Sequence, residues 1–255
     1  MLKKLITTMT ALSIILTSMA VNAAPALEKE INNDLKQFNG QVGVFAKNLK
    51  TGKTIQFNQD NIFPTASTSK LIVALATYKY LYPKAPVYKQ YEYDQGIDSM
   101  IKVSDNNSFQ ALLNEFDASK NNTLDKVEKE LRLRKTEIHD EQAFKKYGYH
   151  SVTTPYEMSK VLETIYNEKY IDKKQVRRLK DNLANTIFYD EIPRHMQVPV
   201  FHKVGELDDV LCDVGVVQDG HDPILISFYT RTGDHKYSSD FIANVSAKLY
   251  NALRR

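Results

Sequence analysis

A serine and a lysine at the start of an apolar segment are the residues of this sequence best suited to chemistry together. Ser67 precedes Lys70 by three positions, and residues 71–76 that follow are all apolar. Such a segment predicts a buried helix that has Ser67 at its first turn and Lys70 on the same face. Burial disfavours a charged amine, and a neutral amine can accept the proton of a nearby hydroxyl. The pair therefore indicates a lysine-activated serine nucleophile. The simpler alternative is a helix-capping serine and a lysine that extends to solvent.

The same spacing occurs a second time, at Ser99 and Lys102. Ser99 lies between Ile97 and Ile101, inside a segment that already has helical periodicity. No hydroxyl is presented at a helix start there. We therefore expect Ser67, and not Ser99, to be the nucleophile.

Two further short motifs carry polar groups that could serve such a nucleophile. Residues 104–106 read Ser-Asp-Asn and predict a turn between two helices that presents Ser104 and Asn106. Residues 203–205 read Lys-Val-Gly and lie at the end of a predicted strand. Taken separately, the first motif is ordinary turn composition, and the lysine of the second is typical of a solvated edge strand.

Strand patterns occur at both ends of the chain, where they could position these motifs. Alternation predicts a hairpin near the N-terminus, and three later segments are rich in valine, isoleucine and aromatic residues. These five predicted strands cover residues 41–47, 54–57, 198–204, 211–217 and 224–230. Apolar residues four positions apart predict a helix at each end, over residues 25–38 and 239–254.

The middle of the chain is predicted to be almost entirely helical. Thr154 and Glu157 with a proline between them form a helix start, and four other segments have helical periodicity. These segments are residues 98–103, 109–116, 124–133 and 176–183. We predict an α/β (α+β) fold, in which a five-stranded antiparallel sheet flanked by the terminal helices forms one lobe and an inserted all-helical lobe forms the other. The sheet lobe would comprise residues 24–60 and 196–255, the helical lobe residues 61–195, with a site in the cleft between them.

Residues 1–23 have the layout of a secretory signal peptide. Lys3 and Lys4 precede an uncharged apolar stretch over residues 5–19, and Ala23 ends a small-residue cleavage site. An uncleaved anchor is the alternative, but the stretch is short for a membrane span. We expect an exported protein, periplasmic or secreted, with residues 24–255 as a single domain and no stable membrane association after cleavage.

Composition excludes several classes of partner and cofactor. The full sequence has a formal charge of +3, and loss of Lys3 and Lys4 with the signal leaves a nearly neutral chain. A nearly neutral chain argues against nucleic-acid binding. Cys212 is the only cysteine, so no internal disulfide can form, and its apolar neighbours indicate a buried structural thiol. Glycine-rich phosphate loops, His-Glu-x-x-His pairs and cysteine clusters are absent from the sequence. We therefore predict no cofactor, no metal and a monomeric protein.

Together and in this order, the three motifs resemble those of the penicillin-recognising serine enzymes, above all the class A β-lactamases. That family's set is Ser-x-x-Lys, Ser-Asp-Asn and Lys-Thr-Gly. The context is similar as well, because residues 153–158 resemble the family's helix start after an omega-shaped loop and residues 213–217 resemble its next sheet strand. The resemblance covers nearly the whole chain after the signal.

The resemblance implies a catalytic role for several residues. Ser67 would be acylated, Lys70 would accept its proton, and Ser104 would relay a proton to the leaving nitrogen. A class A β-lactamase also needs a loop carboxylate to activate the hydrolytic water, and the family's Glu-x-x-Leu-Asn pattern is absent here. Glu141 is the first candidate for that base and Glu137 the second. The alternative is that both are solvated loop carboxylates.

The resemblance also implies substrate-binding residues. Asn106 would hold the side-chain amide of the substrate, and Lys203 would attract the carboxylate that β-lactams carry. Gly205 belongs to the same strand. The backbone N–H groups of Ser67 and Glu206 would form the oxyanion hole.

Two departures from the family pattern leave the function open. Val204 replaces the family's hydroxyl residue, and Cys212 falls near where many class A enzymes have an arginine, so the hold on a substrate carboxylate is weakened. The first predicted function is a secreted serine β-lactamase. The alternatives are a penicillin-binding D,D-peptidase or acyl transferase that acts on peptidoglycan stem peptides, and a non-catalytic binding protein on the same fold.

Overall fold

A computed structural model describes residues 25–119 and 122–254 of the chain. Within these residues we label sixteen helices and strands. In chain order they are α1 (residues 25–37), β1 (Gln41–Asn48), β2 (Thr54–Phe57), β3 (Phe63–Pro64), α2 (Ser69–Ala76), α3 (Val87–Lys102), α4 (Asn106–Ser119), α5 (Thr123–Glu130), α6 (Glu141–Tyr147), β4 (Val152–Thr153), α7 (Pro155–Asn167), α8 (Lys173–Ala184), β5 (Val200–Leu207), β6 (Val210–Val217), β7 (Ile224–Arg231) and α9 (His235–Leu253). The predicted signal peptide lies outside the described residues.

The main sheet has five antiparallel strands in the order β2-β1-β7-β6-β5. β1 pairs with β7 along its whole length, from Gln41 opposite Arg231 to Asn48 opposite Ile224. The N-terminal hairpin is thereby joined to the C-terminal strands, and β5 is left at the edge. The predicted α/β fold class, with a sheet assembled from both ends of the chain, is confirmed.

Each face of the sheet packs against a different set of helices. Side chains alternate between faces along a strand, so neighbouring residues of β7 enter different cores. Phe228 packs with the apolar residues of α1 and α9, whereas Tyr229 packs with those of α2 and α7. All eight residues of α2 are buried, as expected of a helix that is apolar all round.

The structure adds two details to the predicted architecture. β3 and β4 form a small antiparallel pair, with Phe63 opposite Thr153, so the inserted lobe is not entirely helical. α9 begins four residues earlier than predicted, at His235, because the carboxylate of Asp234 accepts a hydrogen bond from the Tyr237 N–H at 2.9 Å and caps the helix.

The start of α7 holds the segment that precedes it. The side-chain oxygen of Thr154 accepts a hydrogen bond from the Glu157 N–H at 3.1 Å, which is the predicted cap. The buried carboxylate of Glu157 accepts hydrogen bonds from the N–H groups of Arg134 and Lys135 and from the hydroxyl of Thr136. This carboxylate therefore anchors the chain between α5 and α6.

Candidate active site

Ser67 lies in a single 3-10 turn, Ala66–Thr68, that leads directly into α2. The hydroxyl of Ser69 donates to the Ala66 carbonyl at 2.9 Å and closes this turn. Ala66 has φ of +46°, a left-handed conformation that a non-glycine residue adopts only where its surroundings hold it. The nucleophile candidate is thus presented on a hydrogen-bonded turn before the helix, rather than in the first turn of the helix as predicted.

Lys70 is 1% exposed, and its ammonium is surrounded by acceptors. Nζ lies 3.1 Å from Ser67 Oγ, 3.0 Å from Ser104 Oγ, 2.6 Å from the Ser104 carbonyl and 2.7 Å from Asn106 Oδ1. An ammonium has three hydrogens for these four acceptors. A neutral amine keeps one lone pair, which could accept the Ser67 proton.

The hydroxyl of Ser104 lies between two lysine side chains. Its Oγ is 3.0 Å from Lys70 Nζ and 3.0 Å from Lys203 Nζ. Ser104 has φ of +57°, so this residue too is held in the left-handed region. Lys203 is 1% exposed; its Nζ donates to the Val204 carbonyl at 2.7 Å and lies 5.4 Å from the centroid of the Phe188 ring.

Burial lowers the pKa of both lysines. Desolvation lowers the pKa of Lys70 to about 8, although the negative charge of Asp105 opposes this shift. Desolvation, followed by repulsion from Lys70, lowers the pKa of Lys203 to about 7. Each amine therefore has an appreciable neutral population near neutral pH, which a proton acceptor for a serine requires.

Edge strand β5 passes close to the backbone of Ser67 at Gly205. A Cβ atom at Gly205 would lie 2.9 Å from the Ser67 nitrogen and 2.8 Å from Cys212 Sγ, so only glycine permits this approach. Cys212 is fully buried and its thiol donates to the Gly205 carbonyl at 3.3 Å. Burial raises the pKa of this thiol, as expected of a structural cysteine.

A cavity of about 480 Å³ opens in front of Ser67. Its walls are formed by Ser67, Ser104, Asn106, Phe188, Val204, Glu206, Leu207, Asp208 and His235. Lys70, Lys203 and Gly205 lie directly behind this wall, in contact with Ser67 or Ser104. The structure therefore brings together seven of the eight predicted site residues, with Glu141 as the exception.

Glu141 and Glu137 do not line the cavity. Glu141 is the first residue of α6; its side chain is 76% exposed, and its carboxylate faces His150 Nδ1 at 3.4 Å. Glu137 forms a backbone bridge with Val152. The structure therefore places Glu141, the first candidate for the deacylation base, away from this cavity: the segment folds as a short helix capped by Asp140, which turns this carboxylate to solvent.

Four cavity residues were not predicted from the sequence: Phe188, Leu207, Asp208 and His235. Phe188 lies between α8 and β5, and His235 is the first residue of α9. Both are remote in sequence from the three motifs, and no local pattern marks either. Leu207 and Asp208, which follow Glu206 directly, could have been included by extending the third motif.

A buried histidine and aspartate that contact each other hold the Phe188 wall in place. His202 Nδ1 lies 2.9 Å from Asp213 Oδ1, and His202 Nε2 lies 3.0 Å from the Phe188 carbonyl. Asp213 also accepts a hydrogen bond from the Ile192 N–H at 3.0 Å. Because a carboxylate and a carbonyl only accept, the two imidazole bonds form together when both ring nitrogens carry hydrogen. Gly215 provides the space, since a Cβ there would lie 2.5 Å from His202 Cβ.

The arrangement supplies the groups for acyl transfer: a hydroxyl, a proton acceptor beside it and a second hydroxyl that can pass a proton. Across residues 25–119 and 122–254, the structure contains no group of three or more histidine, cysteine, aspartate or glutamate residues placed to hold a metal ion.

The fold and the arrangement of the three motifs agree with the resemblance of the sequence to the penicillin-recognising serine enzymes. The sequence model of the β-lactamase enzyme family matches residues 26–85 and 81–253. The chain therefore belongs to the β-lactamase enzyme family.

Solved structures of the same fold include both β-lactamases and a protein named PBP-A. The TLA-1 extended-spectrum β-lactamase has a TM-score of 0.78 at 18% identity, with 91% of this chain and 99% of that chain covered. PBP-A has a TM-score of 0.75 at 20% identity, with coverages of 89% and 95%. The β-lactamase of Sphaerobacter thermophilus has a TM-score of 0.73 at 15% identity, with coverages of 91% and 97%. A variant of PBP-A is known as its acyl-enzyme with penicillin G. At these identities the comparisons establish the fold.

Proposed function

We propose that this protein is a serine hydrolase that opens β-lactam rings through an acyl-enzyme on Ser67. The observation that carries this proposal is the contact between Ser67 Oγ and Lys70 Nζ at 3.1 Å, at an amine whose pKa burial lowers to about 8. A hydroxyl beside a partly neutral buried amine is an activated nucleophile.

The acylation step follows from the contacts of the cluster. The neutral Lys70 amine takes the proton from Ser67 Oγ as this oxygen bonds to the carbonyl carbon of the substrate. The N–H groups of Ser67 and Glu206 stabilise the resulting oxyanion, a contribution of about 3 kcal/mol per donor in comparable sites. When the C–N bond breaks, the leaving nitrogen takes the Ser104 hydroxyl proton, which Lys70 replaces across 3.0 Å.

Asn106 and Lys203 orient the substrate in this proposal. Asn106 lines the cavity, and its Oδ1 is held by Lys70 at 2.7 Å, so its amide NH₂ group is left to donate to the acyl side chain of a substrate. Lys203 contributes positive charge on the other side of Ser104. That charge attracts an anionic substrate into the cavity.

Hydrolysis of the acyl-enzyme is the slower step in this proposal. Among the described residues, Asp105 is the carboxylate whose charge raises the pKa of Lys70. Neither Glu137 nor Glu141 lines the cavity. Water at the acyl-enzyme therefore lacks the loop carboxylate of the class A β-lactamases. This observation favours a second candidate function, a D,D-peptidase or acyl transferase for peptidoglycan stem peptides, in which the penicilloyl-enzyme persists.

A time course of intact mass after mixing with benzylpenicillin, with ring opening followed in the same sample, separates these functions. Ser67→Ala should abolish the adduct. Ser99→Ala, at the other serine with the same spacing, is the matched control and should leave it unchanged. A transient adduct with continuing ring opening indicates a β-lactamase, and a lasting adduct after one turnover indicates the second function. Absence of any adduct in the wild-type protein contradicts both and leaves a non-catalytic binding role.

We also propose that the protein is exported, to the periplasm or the medium, and acts as a monomer. The support is the pattern of charged, apolar and small residues over residues 1–23. No helix within the described ranges has the length and apolar character needed to cross a membrane. The mass of the chain recovered from cell fractions should correspond to a start at Ala24, and light scattering should give the mass of one chain. Recovery of the full-length chain in membranes would contradict export with cleavage.

A further inference from the structure

Three of the residues that line the cavity in front of Ser67 are apolar: Phe188, Val204 and Leu207. Phe188 is half-buried and packs against the core that contains Val204, on the side of the sheet where α1 and α9 lie. Val204 itself is buried, at the position where the resemblance would place a hydroxyl. Phe188 and Val204 therefore present apolar surface to a substrate while the rest of their side chains packs in a core.

The backbone on either side of the Phe188 ring is held before any substrate binds. The Phe188 carbonyl lies 3.0 Å from His202 Nε2, on β5. The Ile187 N–H donates to the Lys102 carbonyl at the end of α3 at 3.2 Å, and the Thr186 hydroxyl donates to the same carbonyl at 3.0 Å. The segment is thus tied to both α3 and β5. A surface fixed in this way loses little conformational entropy when a ligand contacts it.

A cationic side chain and the hydroxyl that serves the leaving group both lie beside this ring. Lys203 Nζ is 5.4 Å from the centroid of the Phe188 ring and 3.0 Å from Ser104 Oγ. Because Ser104 gives its proton to the leaving group in the proposed mechanism, the leaving group departs close to the ammonium and the ring together. A leaving group with a carboxylate and a benzyl group on the same carbon has two carbon atoms between carboxylate and ring, so it can contact both.

We propose that Phe188 selects substrates whose leaving group carries an aromatic or other bulky apolar substituent next to its carboxylate. This inference rests on the proposed acylation of Ser67 and narrows the substrate class of that reaction. Lys203 attracts the carboxylate, and Phe188 and Val204 remove the apolar substituent from water. Contact of one apolar group with a partly open apolar pocket should change kcat/KM about tenfold.

Three thioesters with the same hippuryl acyl group test this selection. Their leaving groups are 2-mercapto-3-phenylpropionate, 2-mercaptopropionate, which lacks the phenyl ring, and 2-phenylethanethiol, which lacks the carboxylate. In each case Ser67 Oγ bonds to the thioester carbon, the C–S bond breaks, and the sulfur takes the proton that Lys70 and Ser104 pass on from Ser67. Thiol release gives kcat/KM, and intact mass gives the hippuryl adduct on Ser67, which is the same for all three.

We expect the wild-type protein to prefer the phenylpropionate ester about tenfold over each of the other two. Phe188→Ala should reduce the preference over the 2-mercaptopropionate ester to less than about twofold, and Phe188→Leu, which retains apolar volume in the wall, should give an intermediate value. Tyr189→Ala is the matched control, because this neighbouring aromatic side chain is 57% exposed and does not line the cavity. It should leave the preference unchanged.

Equal rates for the two carboxylate esters, or a preference that both Phe188 variants keep intact, would overturn the selection by Phe188 while the hippuryl adduct still supported the acylation of Ser67. A 2-phenylethanethiol ester that reacts as fast as the phenylpropionate ester would overturn the requirement for the carboxylate. A wild-type protein that forms no adduct with any thioester or with benzylpenicillin would overturn the proposed function and this inference together.

Discussion

At the scale of single residues, two buried lysines share one hydroxyl. Lys70 and Lys203 both lie 3.0 Å from Ser104 Oγ, and each ammonium disfavours charge on the other. Their pKa values are lowered to about 8 and about 7, with desolvation as the main cause. Both residues therefore lose their charge at a pH well below that at which an exposed lysine does.

The two lowered pKa values predict the pH dependence of penicilloylation. Acylation needs a neutral Lys70, so the rate constant at saturating benzylpenicillin should rise about tenfold between roughly pH 7 and pH 9. Charge on Lys203 attracts the anionic substrate, so the concentration needed for half-saturation should increase above about pH 7. Rapid-quench mass spectrometry across this range measures both quantities.

Lys203→Met provides the control for the pH profile. In this variant the benzylpenicillin concentration needed for half-saturation should no longer change with pH near pH 7. The acylation rate constant should still increase with pH. A rate constant that falls as the pH passes through 8 would contradict a proton-accepting role for Lys70.

At the scale of secondary-structure elements, the distance between β5 and the turn before α2 decides whether the oxyanion hole can form. Gly205 allows the strand to lie against the Ser67 nitrogen. A wider separation would displace the Glu206 N–H from the position that the oxyanion needs.

Gly205→Ala tests this approach. The added methyl group would meet the Ser67 nitrogen at 2.9 Å and Cys212 Sγ at 2.8 Å, so β5 must shift. We expect acylation to slow at least about tenfold and the free energy of unfolding to fall by about 1–3 kcal/mol. Gly220→Ala is the matched control, because nothing lies within 4 Å of its added Cβ. Unchanged acylation in Gly205→Ala would contradict the proposed oxyanion hole.

The connection between α8 and β5 is tied to the sheet by the pair of His202 and Asp213. His202→Leu leaves the buried Asp213 carboxylate with the Ile192 N–H alone, and we expect the free energy of unfolding to fall by about 3 kcal/mol or more. In the double variant with Asp213→Leu, the loss should be smaller than the sum of the two single losses, since no unpaired charge remains.

Urea unfolding of the four proteins in this cycle measures the coupling energy, and penicilloylation of His202→Leu reports on the Phe188 wall. Additive losses would mean that His202 and Asp213 do not stabilise one another.

At the scale of the whole molecule, the two lobes share one of the two cores, the one between the inner face of the sheet and the helices α2 and α7. The inner face of the sheet contributes Phe201 and Tyr229 to the same buried cluster as α2 and α7. A buried hydrogen bond also joins the hydroxyls of Thr68 and Tyr229 at 2.8 Å. Neither lobe could keep this core if the other unfolded.

We therefore expect thermal unfolding in a single transition, monitored together by far-ultraviolet and near-ultraviolet circular dichroism. Phe201→Ala removes a fully buried ring from the shared core and should lower the free energy of unfolding by about 3–5 kcal/mol while the two signals still coincide. Separate transitions for the two signals would show that the lobes unfold independently.

The sequence by itself determined the features that depend on residues close together in the chain. The apolar run after Lys70 predicted the buried helix α2, because a helix with no polar face has to lie in a core. Valine-rich and isoleucine-rich segments predicted the strands, and Thr154 predicted the start of α7. The order of the three motifs predicted the family, which the comparisons confirm.

Only the tertiary structure decided which groups meet at Ser67. It placed Phe188 and His235 in the cavity wall and turned Glu141 to solvent, and no local pattern marks any of these positions. Side-chain contacts between distant segments depend on how strands pair and helices pack, whereas periodicity fixes only which face of its own element a residue occupies. The set of side chains that line the cavity was therefore decided by packing across β5, α9 and the segment before β5.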